Sequence, residues 1–429
     1  VNRWNLTEEK PIVFYVDTLL PESWQRCVYR SADIWNKSFQ KIGFPNALVV
    51  KPYPKDGTVF DANNITKSCI RYVISPSNQI TDNCWSDPLT GEIISANIYI
   101  PHNLASKIQL DYFLQTSSFN EKARTLLPDE GLVEEALTSL LLRHWGHCLG
   151  LSDNMAGSIA YPVDSLQSKE FVKKHGLDKL PMNYLLSDDS YSEGMPLVQS
   201  VLGVYDDWVI RYLYQPMKKT TPQEELPGLQ SLISERNHNP LLLFKGPQNR
   251  KAYYDPRGME RDLGNDAIRS ATIACENIAK VIKNANQWLD NEDVDYELRA
   301  VLYGHIIKQV NEYMKHVLQQ VGGIYLNDSY YGDVYPSFQS VPKEVQRQSF
   351  LWMLDAIEKM TWMDDKELLN HCALTGSVAD YSQKFLGNLV LVQLSNIWLS
   401  ESKSNDPYTQ QQAISDLISF LFKEARMGK

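Results

Sequence analysis

Cysteine is scarce and poorly placed for chemistry. The six residues, Cys27, Cys69, Cys84, Cys148, Cys275 and Cys372, form no C-x-x-C pair and no dense cluster. That scatter argues against a disulfide framework and against a structural zinc site. No apolar run approaches the ~18–20 residues of a membrane-spanning helix, and no secretory h-region is present. A phosphate-binding glycine loop and a clear internal repeat are also missing. Positive charge is in deficit, with 42 Lys and Arg against 52 Asp and Glu and a net charge of -10. Nucleic acid and anionic membrane surfaces are therefore not expected as main partners. The first residue is Val1 rather than methionine, which leads us to expect a processed or trimmed chain.

What is present suits a globular protein. At 429 residues the chain is long enough for two or more domains, and its 43% hydrophobic and 22% charged content is ordinary for such folds. Pro11 to Asp17 (PIVFYVD) is a short apolar run suited to a buried strand. From Pro21 to Lys41, Trp24, Val28, Trp35 and Phe39 fall on one helical stripe that ends before Gly43. Asn46 to Val50, Cys69 to Ile74 and Glu92 to Ile100 are the next strands, with a polar loop from Lys51 to Lys67 and a turn at Asp87 to Gly91. This order predicts helices packed on a mixed sheet.

The stretch Leu132 to Ser158, LVEEALTSLLLRHWGHCLGLSDNMAGS, organises the chain. Val133, Leu137, Leu140, Leu141 and Cys148 form one apolar stripe at helical spacing, and Gly150 ends the helix where the backbone must turn left-handed. His144 lies inside the stripe; Arg143 and His147 sit together at its edge. Cys148 follows His147, but neighbours on a helix point about 100° apart, so it reads as a small core residue and not as a Cys/His catalytic partner.

This stretch resembles the active-site helix of metzincin metalloproteases, whose pattern is H-E-x-x-H-x-x-G-x-x-H followed by a methionine turn. One register fits. His147 is the second histidine, Gly150 the turn glycine and Asp153 the third ligand, which places Arg143 at the first zinc histidine and His144 at the general-base glutamate. Downstream, YPVDSLQSKEFVKKHG at Tyr161 to Gly176 and LPMNY at Leu180 to Tyr184 resemble bacterial zinc-dependent metalloproteases with the EcxA-like zinc-binding region. PIVFYVD, DPLTGEIISANI at Asp87 to Ile98, GVYDDWVIRYLY at Gly203 to Tyr214 and RDLGNDAIRS at Arg261 to Ser270 extend the resemblance over most of the chain. It implies that Met182 floors the site, that Tyr184 lies near it, and that the protein is exported, periplasmic or on the cell surface.

Arginine has no lone pair for a metal and stays protonated. We therefore expect Arg143 to replace zinc electrostatically, pairing with Asp153 and hydrogen-bonding His147, with no cofactor. The alternative is a remodelled zinc site of His144, His147 and Asp153, since the i, i+3 spacing brings both rings together. In the related enzymes an extended peptide adds to an edge strand beside the cleft. Ile93 to Ile100, with Ile94, Ala96 and Ile98, is the expected counterpart, and an ordinary sheet edge is the alternative.

The rest reads as helical. Ile268, Cys275, Ile278, Ile282 and Leu289 form one stripe and Leu298, Leu302, Ile306, Val310, Tyr313 and Val317 another. Further helices are expected at Pro342 to Lys359, Lys366 to Cys372, Tyr381 to Leu399 and Thr409 to Arg426. An aromatic loop holds Tyr325, Tyr330, Tyr331 and Tyr335, and His305 and His316 read as structural. The expected fold class is α+β: a metzincin-like mixed sheet with an active-site helix, then a mainly α-helical C-terminal domain. We place the domains at 1–215 and 261–429 with a connector at 216–260. The expected function is a degenerate metallopeptidase homologue that retains polypeptide binding, with an active remodelled enzyme or a structural scaffold as alternatives.

Overall fold

The computed structural model describes residues 1–54, 60–177, 182–217, 221–246, 254–329, 336–374 and 376–426. Five strands form the first sheet: β1 (Ile12–Val16), β2 (Leu48–Pro52), β3 (Ser68–Val73), β4 (Thr81–Ser86) and β5 (Ile93–Pro101). Their order is β2-β1-β3-β5-β4. All neighbours run parallel except β4, which pairs antiparallel with β5. The β4–β5 connection is the expected Asp87 to Gly91 turn. Asp87 Oδ1 accepts the Leu89 amide at 2.9 Å and Gly91 takes φ +76°, a conformation open to glycine.

This topology corrects the cleft strand. Ile94, Ala96 and Ile98 lie on β5, which is bonded on both sides, by β3 and by β4. The sheet edge beside β5 is β4, reading TDNCWS. An edge strand pairs on one side only and tolerates polar residues, so β4 carries none of the apolar alternation that marks a half-buried strand.

Helix α1 (Glu22–Gln40) crosses to helix α3 (Glu130–Cys148), and the two are locked by reciprocal tryptophans. Trp35 donates through Nε1 to the Leu142 carbonyl at 3.0 Å; Trp145 donates to Ser31 Oγ at 2.9 Å. Both indoles are almost completely buried, and Phe14 of β1 meets Trp145 edge-on at 4.6 Å. Truncating such a tryptophan costs about 3–5 kcal/mol. Helix α3 is therefore fixed to the sheet from below by its apolar face. Helix α2 (Leu104–Thr116) packs against α3.

After α3 come α4 (Val163–Leu166), α5 (Lys169–His175), α6 (Val204–Tyr214) and α7 (Pro222–Ser234), the last within the expected connector. The C-terminal part is helical as its periodicity predicts. It contains α8 (Ala267–Trp288), α9 (Glu297–Leu318), α10 (Lys343–Glu358), α11 (Lys366–Cys372), α12 (Val378–Glu401), α13 (Gln410–Leu421) and α14 (Lys423–Arg426). A small hairpin of β6 (Ile324–Leu326) and β7 (Phe338–Ser340) interrupts it. The mixed sheet followed by a mainly helical region is the metzincin-like α+β architecture. Helix α2 also contacts α8 and α9, and one continuous apolar core runs from β1 through α3 into α9 and α12. Tyr330, Tyr331 and Tyr335 of the aromatic loop lie outside the described residues. No helix among the described residues is long and apolar enough to cross a membrane.

Candidate functional site

The site is built at the C-terminal end of α3. Asp129 caps the helix by accepting the Leu132 amide at 2.8 Å, which starts the register that ends in Arg143, His144 and His147. At the other end the Leu151 amide returns to the Gly146 carbonyl at 3.0 Å, and Gly150 stands at φ +88°. A Cβ on Gly150 would come within 2.1 Å of the Asn2 carbonyl oxygen, so both backbone conformation and close approach require glycine here. Trp4 Nε1 donates to the Cys148 carbonyl at 2.8 Å and Tyr214 Oη to the Leu149 carbonyl at 2.7 Å. These bonds satisfy helix-end acceptors and hold the turn that delivers Asp153.

Five side chains then join into one chain of contacts. Arg143 grips Asp153 with two bonds, Nε to Oδ1 at 2.8 Å and Nη2 to Oδ2 at 2.6 Å. His147 Nε2 meets Asp153 Oδ1 at 2.9 Å, and its Nδ1 meets Asp82 Oδ2 at 2.9 Å. The same Asp82 oxygen contacts His144 Nδ1 at 2.5 Å. The two imidazoles stand nearly perpendicular, 84° apart, with centroids 5.8 Å apart. Asp82 is presented by edge strand β4, so the network ties that edge of the sheet to the end of α3.

Charge follows from these bonds. Burial alone would raise the Asp153 carboxyl, but hydrogen bonds from Arg143 and His147, reinforced by their charge, hold it well below the usual carboxylate range. Asp82 is likewise held low: burial opposes ionisation, and the bonds from His144 and His147 outweigh it. For His147, burial favours the neutral ring, yet the two flanking carboxylates lift its pKa to about 9. His144 moves the other way because burial dominates, with Arg143 and His147 adding to it and Asp82 only partly compensating. At neutral pH the network is Arg143 cation, Asp153 anion, His147 cation, Asp82 anion and neutral His144. It closes with no net charge.

These shifts fix a pH window. The carboxylates, depressed below the ordinary 3.8, contribute stability that is present above that value and lost as pH falls towards their folded pKa. His147, raised from 6.5 to about 9, contributes stability that is present below pH 6.5 and lost as pH rises through 9. The melting temperature should therefore fall between pH 7 and pH 9.5. A His147→Asn protein should show a flatter profile over that interval, and parallel profiles would show that His147 is not the group responsible.

The three positions that match metzincin ligands do not suit zinc as they stand. Arg143 has no lone pair to offer, and both oxygens of Asp153 are engaged by Arg143 and His147. A different trio is placed to hold a metal: ligand atoms of Asp82, His144 and His147 lie within 4.8 Å of one another. Sequence reasoning paired His144 and His147 with Asp153 as the remodelled set. The structure instead brings both histidines to Asp82, while Asp153 contacts His147 and Arg143 but not His144. Asp82 is 62 residues from His144 and follows no motif spacing. The signal that could have found it is electrostatic, since a second histidine beside an arginine calls for a second carboxylate.

The methionine-turn residues separate. Leu180 and Pro181 lie outside the described residues. Met182 is buried in the core. Tyr184 is also buried; its ring packs 4.8 Å from Tyr313 of α9, and its carbonyl accepts Asn277 Nδ2 at 3.1 Å. It faces the helical region, with none of its contacts in the Arg143 network. Ala96 and Ile98 are fully buried, and Ile94 is partly exposed.

A mixed sheet with one antiparallel edge, over a long helix that ends in a glycine turn and a ligand-bearing loop, defines a metallopeptidase-like fold. The family model described as Met-zincin matches residues 127–428, so the chain belongs to the Met-zincin family. The match opens just before α3 and runs through the helical region. No curated protein and no solved structure matches the chain.

Proposed function

We propose that this protein is a degenerate metallopeptidase homologue that does not hydrolyse peptides through zinc and that binds extended polypeptide along its cleft. The bidentate Arg143–Asp153 pair carries the reading, because it fills the ligand corner with a fixed cation and leaves Asp153 no free oxygen. The general-base position supports it. His144 is buried and its Nδ1 is spent on Asp82. For ligand binding, β4 offers the surface: among the described residues no strand pairs with its outer edge, and a peptide can add there by backbone hydrogen bonds. By family resemblance we assign the protein to an exported setting. The net charge of -10 favours a polypeptide over nucleic acid.

The Asp82, His144 and His147 trio supports a second reading, a remodelled metal site. A metal there would be held by one carboxylate and two imidazoles and could activate a water. Metal analysis decides between the two. Protein purified without added metal is expected to contain far less than one equivalent of zinc and to lose no stability on chelation. Retention of roughly one zinc per chain, lost on His144→Ala, would establish the second reading instead. Binding of unstructured peptides without cleavage, abolished by Asn83→Pro on β4, is the expected companion result. Cleavage, or binding indifferent to β4, would contradict the proposal.

A further inference from the structure

A partly open pocket away from the Arg143 network lies between the metallopeptidase-like region and the helical region. Its cavity measures about 90 Å³ and is walled by Tyr184, Asp262, Tyr313 and His316 among others. Asp262 is only 7% exposed, and its Oδ1 accepts the Ser158 hydroxyl at 2.6 Å. No lysine or arginine among the described residues forms an ion pair with it. The guanidinium on the same wall, Arg257, is already bidentate to Asp255, at 2.9 and 2.8 Å, and lies 4.4 Å over the Tyr325 ring. His316 places Nε2 against the Glu260 carbonyl at 2.9 Å, and burial holds the ring neutral. The cavity thus contains one carboxyl group with no cation paired to it, and the ionised form of that group is costly there unless a cation is supplied.

The backbone is bent to place that carboxyl. Arg261, just before Asp262, stands at φ +62° without being glycine, and Gly264, shortly after it, stands at φ +82°. A left-handed non-glycine residue is uncommon and costs of order 1 kcal/mol. A Cβ on Gly264 would meet Val163 Cγ2 at 2.7 Å, so the bend also needs a close approach. Two left-handed residues flanking a buried, uncompensated carboxyl mark a built position.

We propose that this cavity binds a small alkylammonium ion, with the Asp262 carboxylate as its counter-charge. An ammonium group presents three donors and no acceptor; the Asp262 carboxylate is its complementary acceptor, and the Tyr184 and Tyr313 side chains stand on the same wall. The apolar part of the wall, Ile159, Leu263 and Ala271, takes a short alkyl group. A cavity of this size holds a few water molecules or a ligand of a few heavy atoms, which excludes a peptide or a nucleotide. Burial pushes Asp262 up to about 7, so the carboxylate is available to a cation at mildly alkaline pH. None of these residues is a member of the Arg143 network, so the site is a separate one.

Calorimetric titration of the full chain with methylammonium chloride at pH 8, at constant ionic strength, tests it. Methanol serves as the neutral probe of similar size and potassium chloride as the metal-cation probe. Saturable binding of one methylammonium per chain is expected, weakened at least about tenfold in Asp262→Asn. Ala267→Met, which narrows the cavity and leaves the carboxyl in place, should also abolish binding and serves if Asp262→Asn does not fold. The proposal is overturned by no saturable heat, by equal binding of methanol, by potassium binding as tightly as methylammonium, or by affinity retained in both cavity variants.

Discussion

Replacing Arg143 with alanine is expected to destabilise the protein by about 2–3 kcal/mol. Breaking a buried ion pair from one side costs about 3–5 kcal/mol because the remaining charge is stranded. The Arg143 side chain is 32% exposed and Asp153 13%, so water screens part of that loss. The cost is mostly that of leaving Asp153 without its principal partner, so removing both members should be far cheaper. Arg143→Met with Asp153→Leu is expected to fall within about 1 kcal/mol of the parent, since a paired site replaced by apolar groups of similar size is often nearly neutral. His147 keeps Asp82 in that background. Urea unfolding of the parent, both single variants and the double variant closes the cycle. Additive losses would show that Arg143 and Asp153 do not act as a pair.

The larger change is expected from rebuilding the zinc site. Arg143→His with His144→Glu restores the H-E-x-x-H order and releases Asp153 from its guanidinium partner. The structure adds an obstacle that the motif does not show. Asp82 Oδ2 lies 2.5 Å from His144 Nδ1, so a glutamate at position 144 would set two carboxylates against each other. Like charges at that distance raise one pKa and oppose metal-ready ionisation. The double variant should therefore bind zinc weakly and fold poorly. Adding Asp82→Asn should produce roughly one zinc per chain, held through the introduced imidazole together with His147 and Asp153. Metal analysis after dialysis, with thermal stability with and without chelator, reads the outcome. If the triple variant stays free of zinc while folded, the backbone of the cleft has moved beyond what three side chains restore.

Much of the fold was legible because its signals are local. The 3–4 spacing of Leu302, Ile306, Val310 and Val317 places α9, and the apolar run at Ile12 to Val16 places β1. The Arg143–Asp153 pairing was legible too, since one helical register and one glycine turn put both at ligand positions. Strand β4 was not legible. Thr81 to Ser86 has neither alternation nor a continuous apolar run, and its pairing with β5 is set by tertiary contact. Asp82 was hidden with it, and it also lies outside the 127–428 family match. Tyr184 was misplaced for a different reason. Its position after Met182 fixes where the chain passes but not which way the ring turns, and Tyr313, far later in the sequence, decides that.

Asp82 also changes how the rim of the cleft can come apart. As the outermost strand, β4 has one hydrogen-bonded neighbour, and such elements are ordinarily among the first to open in the native state. Here the strand is fastened a second time from beneath, through a single carboxylate oxygen shared by two histidines of α3. Fraying of the rim and dissolution of the ion network are consequently one event. A ligand that seats along β4 therefore meets a margin already anchored to α3 at Asp82.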